Sequence, residues 1–351
     1  MALKVTVIGV GLVGETIVSC LKERNFPCEW PPRVAATIER PKLLAGEEMQ
    51  VVETTAEAFK NTDLVLFAGK EGAKGASVTW RETAEKNGAI CIDNGRDFRL
   101  SNDVPLIVPE VNSNMLTNNT SFIASPNCST IQLAVALYPI YKVEKIKRIL
   151  VAGYQSTSGW GVKGPEELRK QTPIALKSLE NIPFDSNVFP HPIAFNCIPH
   201  IEPFLEEDYT REELKLIYET RKIFDDQEIQ ISATCVRVPV FVGHGQAIWI
   251  ETEKEISINE IKNILQDSPG IILYDNIKSD NPDVGNNEHS YPTSLDVNKY
   301  RDEVLVGRIR KDLSNKKGIA LWCVADNLRK GAALNVIQIA EELVKKGILK
   351  T

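Results

Sequence analysis

Lys4-Val5-Thr6-Val7-Ile8-Gly9-Val10-Gly11-Leu12-Val13-Gly14 is the stretch that decides the fold. Lys4 to Ile8 is a short β-branched run and predicts a strand. The glycines follow as GxGxxG. Apolar residues at Ile17, Val18 and Leu21 then predict a helix that stops near Asn25-Phe26-Pro27. Strand, glycine turn and helix form the context that a dinucleotide fingerprint requires. The glycines allow the tight turn and let a pyrophosphate approach the helix N-terminus. The competing reading is a glycine-rich βα turn that binds nothing, and the flanking strand and helix weigh against it. Gly9, Gly11, Leu12, Val13 and Gly14 are therefore expected to line a cofactor.

Outward from this unit, Arg33 to Thr37 reads as a second strand, ending in Ala36-Thr37-Ile38-Glu39-Arg40. An acidic residue at this place would hold both ribose hydroxyls of NAD. The hydroxyl of Thr37 and the guanidinium of Arg40 suit a 2′-phosphate instead, so NADP is expected, with NAD as the alternative. Asp63 to Ala68, Gly88 to Asp93, Leu106 to Val108 and Ser121 to Ala124 read as further strands. Alternating strands and helices predict an open, mostly parallel sheet with its ligand at the carboxyl edge.

The last of these strands runs into Ser125-Pro126-Asn127-Cys128-Ser129-Thr130 and a helical pattern from Ile131 to Tyr138. Pro126 keeps Ser125 out of the helical region, so the chain bends there. Asn127 suits an N-cap and places Cys128 in the first turn. A thiol there faces unpaired N–H groups and the positive end of the helix dipole, both of which favour the thiolate. A buried, inert cysteine is the usual alternative; this setting favours a nucleophile.

Beyond that helix, Ile146 to Gln155 reads as a strand, followed by the loop Ser156-Thr157-Ser158-Gly159-Trp160-Gly161. Helices are expected over Glu166–Leu179, Arg211–Ile223 and Ile258–Leu265, and from Asn327 onward. Gln230–Phe241 and Gln246–Glu253 alternate as strands on either side of Gly243-His244-Gly245. Val304–Ile309 and Ile319–Val324 are strands, and Asp275–Tyr291 is a polar, Asn-rich loop. This half predicts a mixed sheet flanked by helices. The fold class is thus α/β, a Rossmann-like dinucleotide-binding domain joined to an α+β domain, and 351 residues favour two domains.

A cysteine acting on an acyl group needs a base and substrate anchors. His244 is the histidine in a suggestive setting, its flanking glycines leaving the imidazole accessible; a structural histidine is the alternative. Arg237, between Val236 and Val238, is an arginine in an apolar strand and needs an anion such as a carboxylate. Arg99 lies in a strand-end loop and could bind phosphate. Glu219 and Lys222 share a helix face, where a solvated ion pair is the ordinary reading.

Composition narrows the partners. Apolar content of 43%, charged content of 25% and a net charge of -6 describe a globular protein and argue against nucleic-acid or membrane-surface binding. Cys20, Cys28, Cys91, Cys128, Cys197, Cys235 and Cys323 show neither CxxC nor zinc-ligand spacing, so no metal is expected and the thiols read as reduced. Met1-Ala2-Leu3-Lys4 runs directly into the first strand without a signal-peptide pattern, and a cytoplasmic location is the expectation.

Seven segments together give the chain its resemblance to the aspartate-β-semialdehyde dehydrogenase family. They are SPNCSTIQLA around Cys128, YQSTSG around Gln155, AFNCIPHIEPF at 194–204, ETRKI at 219–223, SATCVRVPVFVGHG at 232–245, VGRIRKD at 306–312 and WCVADNLRKGAALNVIQIAEEL at 322–343. The resemblance implies that Cys128 is acylated, that His244 is the acid/base and that Gln155 orients the acyl intermediate. It implies that Arg237 holds the substrate α-carboxylate and Glu219 its amino group, while Arg99, Lys222 and Asn127 serve the phosphate. Ser158, Gly159 and Asn327 would lie near the nicotinamide end of NADP. It further implies a dinucleotide-binding domain over 1–127, completed by a C-terminal helix over 328–351, and a catalytic and dimerisation domain over 128–327. The implied assembly is a homodimer or homotetramer. The glycine loop is one residue shorter than the family's usual GxTGxVG and lacks its threonine, and Trp160 replaces a small residue. Two other readings stand beside this one: the same thioester chemistry on another acyl phosphate or acyl-CoA, and a non-catalytic paralogue.

Overall fold

The computed structural model describes residues 2–182, 188–276 and 290–350. The chain divides into two units, Met1–Cys128 with Gly331–Thr351, and Ser129–Lys330. The polar stretch expected over Asp275–Tyr291 falls largely on 277–289, outside the described residues.

In the first unit β1 (Val5–Ile8), α1 (Leu12–Glu23), β2 (Arg33–Ala36), β3 (Arg40–Leu44), β4 (Glu47–Glu53), β5 (Leu64–Phe67), α2 (Ala76–Lys86), β6 (Ile90–Asp93), a one-turn α3 (Pro109–Asn112) and β7 (Phe122–Ala124) follow one another. They form a seven-stranded sheet of order β3-β4-β2-β1-β5-β6-β7. All its pairs are parallel except β3 with β4. Val5, Val7, Leu64, Leu66 and Ile92 are fully buried, as a doubly covered sheet demands. Ile17, Val18 and Leu21 of α1 share one core with Val336, Ile337, Ala340 and Leu343 of the last helix.

Two features differ from expectation. Arg40 does not end a loop but begins β3, one arm of a hairpin turned at Ala45 and Gly46, both at positive φ. Leu106–Val108 is not a strand; Leu106 makes a single bridge to Ala124. Pro105 and Pro109 bracket the segment and lack the N–H groups a ladder needs.

The second unit contains α4 (Cys128–Val143, its first residue in the first unit), β8 (Ile146–Gln155), α5 (Lys163–Ala175), α6 (Arg211–Phe224), β9 (Gln230–Arg237), β10 (His244–Thr252), α7 (Ile258–Gln266), β11 (Ile271–Leu273), β12 (Val304–Lys311) and β13 (Gly318–Ala325). A π-helical turn, Arg329–Ala333, leads into α8 (Leu334–Lys345), so the final helix starts two residues later than Asn327. The sheet order is β11-β12-β13-β10-β8-β9. It is mixed: β8 with β9 and β11 with β12 are parallel, and the other pairs antiparallel. Ile131 to Leu137 of α4 are buried all round, as in a central helix. A capping box starts α6: the Thr210 hydroxyl accepts from the Glu213 N–H, and the Glu213 carboxylate accepts from the Thr210 N–H.

Strand β9 stops at Arg237 rather than Phe241, because Pro239 cannot donate to a ladder. His244 is not in a turn but is the first residue of β10, paired with Ala325. Strand alternation puts Gln155 inside and Tyr154 on the opposite face, where Trp249 is also exposed and Trp322 packs 5.6 Å from the Tyr154 ring. Among the described residues, no helix is long and apolar enough to cross a membrane.

Candidate active site

In the first unit backbone shape does the positioning. Gly9 has φ +107°, and a Cβ there would lie 2.5 Å from the Ala68 carbonyl oxygen. A Cβ on Gly14 would lie 2.0 Å from the Gly9 carbonyl oxygen, so this residue must be glycine for α1 to pack on its own turn. Gly11 is different: it precedes α1, no side chain caps the helix there, and a Cβ on it would meet nothing within 4 Å. That open cradle, with the N–H groups of Leu12 and Val13 in the first turn, fits a pyrophosphate. Thr37 and Arg40 are exposed at the end of β2 and the start of β3. Lys42, which the sequence reading passed over, donates from the same hairpin to the Val10 carbonyl (2.5 Å) and pairs with Glu15.

At the carboxyl edge, Arg99 is buried and donates through Nη2 to the Asn94 carbonyl (2.8 Å). Asp93 ends β6 beside it, and burial pushes its carboxyl up to about 6. Asn127 is buried and immediately precedes α4, whose first residue is Cys128. The thiol is half-buried. Gly331 passes so close that a Cβ on it would lie 2.8 Å from the Cys128 Cβ.

In the second unit side chains do the positioning, and Ser156 is their hub. Its N–H donates to His244 Nδ1 (3.1 Å), its hydroxyl lies 3.0 Å from the same nitrogen, and its carbonyl accepts from Arg237 Nη1 (2.6 Å). Arg237 and His244 converge on Gly159. A Cβ on that glycine would lie 2.8 Å from Arg237 Nη1 and 3.4 Å from the imidazole Nε2. His244 is 0% exposed, not accessible as its flanking glycines predict, because β8 and β13 enclose its strand and the loop after β8 folds over it. Burial first, and then the Arg237 charge, hold its pKa down at about 3, against a smaller opposing effect of Glu212. Among the described residues, Nε2 has no hydrogen-bond partner.

Asn327 and Ser158 complete the cluster. Asn327 Oδ1 accepts from the hydroxyls of Ser156 (3.0 Å) and Ser158 (3.1 Å) and from the Gly243 N–H (3.0 Å). On the other side, Gln155 Nε2 donates to the Ser129 hydroxyl and to Glu212 Oε1, both at 2.8 Å. With both amide hydrogens used, the group Gln155 can offer a ligand is its carbonyl oxygen.

A second acid of α6 joins the cluster: Glu212 reaches Gln155 and acts on His244, and Glu219 is buried on the same helix. Glu212 is buried and pairs with Lys215 (3.1 Å). Glu219 and Lys222 lie seven residues on, two turns or about 10 Å along α6. The helix carries Glu-x-x-Lys twice, and Glu212 of the first copy is the one bonded to Gln155. Ser156 also escaped the sequence reading, since a serine in a loop has no distinctive pattern.

A dinucleotide-type unit followed by an α+β unit with a cysteine at the start of its helix describes the semialdehyde dehydrogenases. Residues 4–119 match the family model for the semialdehyde dehydrogenase NAD binding domain, and 137–330 that for the semialdehyde dehydrogenase dimerisation domain. The chain belongs to the aspartate-semialdehyde dehydrogenase family. It is 45% identical to the aspartate-semialdehyde dehydrogenase of Aquifex aeolicus over 99% of this chain and 100% of that one. It is 41% identical to that of Shewanella violacea over 97% of each chain. Among solved structures, aspartate semialdehyde dehydrogenase II from Vibrio cholerae is similar at 41% identity, TM-score 0.87, covering 98% of this chain and 99% of that one. The same enzyme complexed with ASA gives TM-score 0.86 at 40% identity, with the same coverage of each chain. These matches make the cofactor class a nicotinamide dinucleotide and the second domain a dimerisation domain.

Proposed function

We propose that this chain is an NADP-dependent aspartate-semialdehyde dehydrogenase. It would interconvert β-aspartyl phosphate and L-aspartate-β-semialdehyde plus phosphate through a thioester on Cys128. The observation that carries the reading is the convergence of Arg237 and His244 on the Gly159 turn, with Gln155 locked one strand away.

Each side chain has a task set by its chemistry. The thiolate of Cys128, favoured at the N-terminus of α4, attacks the acyl carbon and phosphate departs. Arg237 offers a planar guanidinium to the α-carboxylate. Glu219, buried on α6, is the carboxylate for the substrate ammonium, and Glu212 holds Gln155, whose carbonyl is a further acceptor. His244 holds and returns a proton at Nε2. Arg99, Asn127 and Lys222 serve the phosphate. A bound nicotinamide dinucleotide supplies or takes the hydride. Gly9, Gly11, Leu12, Val13 and Gly14 would hold its pyrophosphate, and Thr37 and Arg40 its 2′-phosphate. Ser158, Gly159 and Asn327 would flank the nicotinamide end. Residues 1–127 with 328–351 form the cofactor domain in this reading, and 128–327 the catalytic and dimerisation domain.

The open sheet face bearing Tyr154, Trp249 and Trp322 supports a homodimer as the basic assembly, with a tetramer as its doubled form. The test is phosphate-dependent reduction of NADP and of NAD by the purified protein with L-aspartate-β-semialdehyde. Strong turnover with NADP is expected. Turnover with NAD alone would reassign the cofactor, and no turnover with either would remove the proposed substrate.

A further inference from the structure

We propose that Ser156 is a positioning residue whose hydroxyl holds His244 as its Nδ1–H tautomer and so leaves Nε2 to take up and return a proton. This rests on the reading of His244 as the proton carrier for Cys128.

The argument is one of hydrogen bookkeeping. A backbone N–H can only donate, so the bond from Ser156 N to His244 Nδ1 requires a lone pair on Nδ1 and puts the ring proton on Nε2. In that form Nε2 cannot accept a proton. To accept one, the ring must carry its hydrogen on Nδ1, and that hydrogen needs an acceptor. The Ser156 hydroxyl lies 3.0 Å from Nδ1. Its own hydrogen has an acceptor in Asn327 Oδ1, which can only accept, with the Ser158 hydroxyl a further neighbour at 3.1 Å. Its lone pairs are then left for Nδ1. Asn327 Oδ1 is itself fixed by the Gly243 N–H and by Ser158. Ser156 thus offers a backbone donor for one tautomer and a hydroxyl acceptor for the other, at a site that is 0% exposed; the reactive form is the one on the hydroxyl, with the backbone N–H released from Nδ1.

The proton balance closes. With Nδ1–H held on the Ser156 hydroxyl, Nε2 takes the thiol proton of Cys128 and leaves a thiolate and an imidazolium. The same Nε2–H then passes to the departing oxygen, and the neutral ring is restored with Nδ1–H still on Ser156. The charged groups that act on the ring are Arg237 from β9, which opposes the imidazolium, and Glu212 from α6, which favours it. The hydroxyl adds a neutral contact that neither charge replaces.

The experiment is the pH dependence of iodoacetamide alkylation at Cys128, read by mass spectrometry of its peptide, together with the pH profile of kcat. The proteins compared are wild type, Ser156→Ala, Ser156→Thr and His244→Ala. Ser156→Ala keeps the backbone donor and loses the acceptor. Its alkylation profile should shift to higher pH, and its kcat near neutrality should fall about tenfold or more with little change in KM. The deficit should close at high pH, where the thiol ionises unaided, and Ser156→Thr should restore the profile. Ser156→Cys, a poor acceptor of similar size, should match Ala and covers the case in which Ala loosens the turn. A wild-type profile in Ser156→Ala and Ser156→Cys, with His244→Ala displaced, would overturn this role while leaving His244 in place. A wild-type profile in His244→Ala would overturn both.

Discussion

The two units prepare their parts of the chemistry by opposite means. The first removes side chains: Gly9, Gly11 and Gly14 leave bare backbone, and the residues proposed for the cofactor run from buried Gly14 through half-buried Gly9, Leu12 and Val13 to exposed Gly11, Thr37 and Arg40. The second buries side chains: Gln155, Ser156, Arg237, His244 and Asn327 are each at most 3% exposed, the last four linked through Ser156 and Gln155 held by Ser129 and Glu212. A backbone cradle tolerates variation in the residues around it. A buried polar cluster does not, because every unmatched partner pays its desolvation in full.

The sharpest break in this comparison is at the point where the units meet in sequence. Cys128→Ala should abolish turnover, by roughly 10,000-fold or more, with no change in thermal unfolding midpoint. Residual turnover near wild type would remove the thiol from the reaction. Within the buried cluster, Arg237→Lys keeps the charge but loses the fork that spans the Ser156 carbonyl and Gly159. The expected result is a fall in kcat/KM on the order of 100-fold, carried by KM for the semialdehyde.

The glycines separate two roles inside the cradle. Gly14→Ala forces a Cβ onto the Gly9 carbonyl and should cost roughly 2–4 kcal/mol of stability, measured by denaturant unfolding. Gly11→Ala meets only open space, so stability should hold while dinucleotide affinity in a fluorescence titration falls about tenfold. Equal stability losses for both would erase the distinction. On α6, Glu219→Gln should raise KM for the semialdehyde by about tenfold or more, and Glu212→Gln should lower kcat through Gln155. An unchanged KM in Glu219→Gln would remove it from the substrate amine.

The smallest effects are in acid. His244 has its folded pKa lowered from 6.5 to about 3, so its neutral form is favoured in the folded protein. As pH falls from 6.5 towards 3 the unfolded chain takes up a proton that the folded chain refuses, and stability declines. Asp93 acts in the other direction. Its folded pKa is raised from 3.8 to about 6, so the folded chain binds the extra proton and stability rises as pH falls from 6 to 3.8. Asp93→Asn should therefore stabilise the protein near pH 7, by at most about 3 kcal/mol, and the gain should vanish near pH 4. Urea unfolding at pH 7, 5.5 and 4 checks the slope, and a gain independent of pH would contradict it.

What could be read in advance follows the same division. The glycine turn, the strand before Cys128 and the alternation of β8 are local patterns, and each is where its sequence puts it. The β3–β4 hairpin was not legible, because its turn places an alanine, Ala45, at positive φ, where an Asn or Gly would have signalled it. Its strands are also half polar, as an edge pair can be. Ser156 and Glu212 were missed, and the burial of His244 was not foreseen, for another reason. Their roles come from contacts between β8, β10 and α6, elements far apart in the chain, and no local spacing encodes which turn of a helix faces which strand.

The alternation of Tyr154 and Gln155 gives β8 an unusual intolerance. One added or deleted residue before Tyr154 would turn the aromatic into the catalytic cluster and the amide out to the open face. It would cost the protein its chemistry and its aromatic face together. The length of this strand is therefore inherited as a single digit that two separate properties read, and lineages that diverge freely in its exposed side chains are expected to keep its residue count fixed.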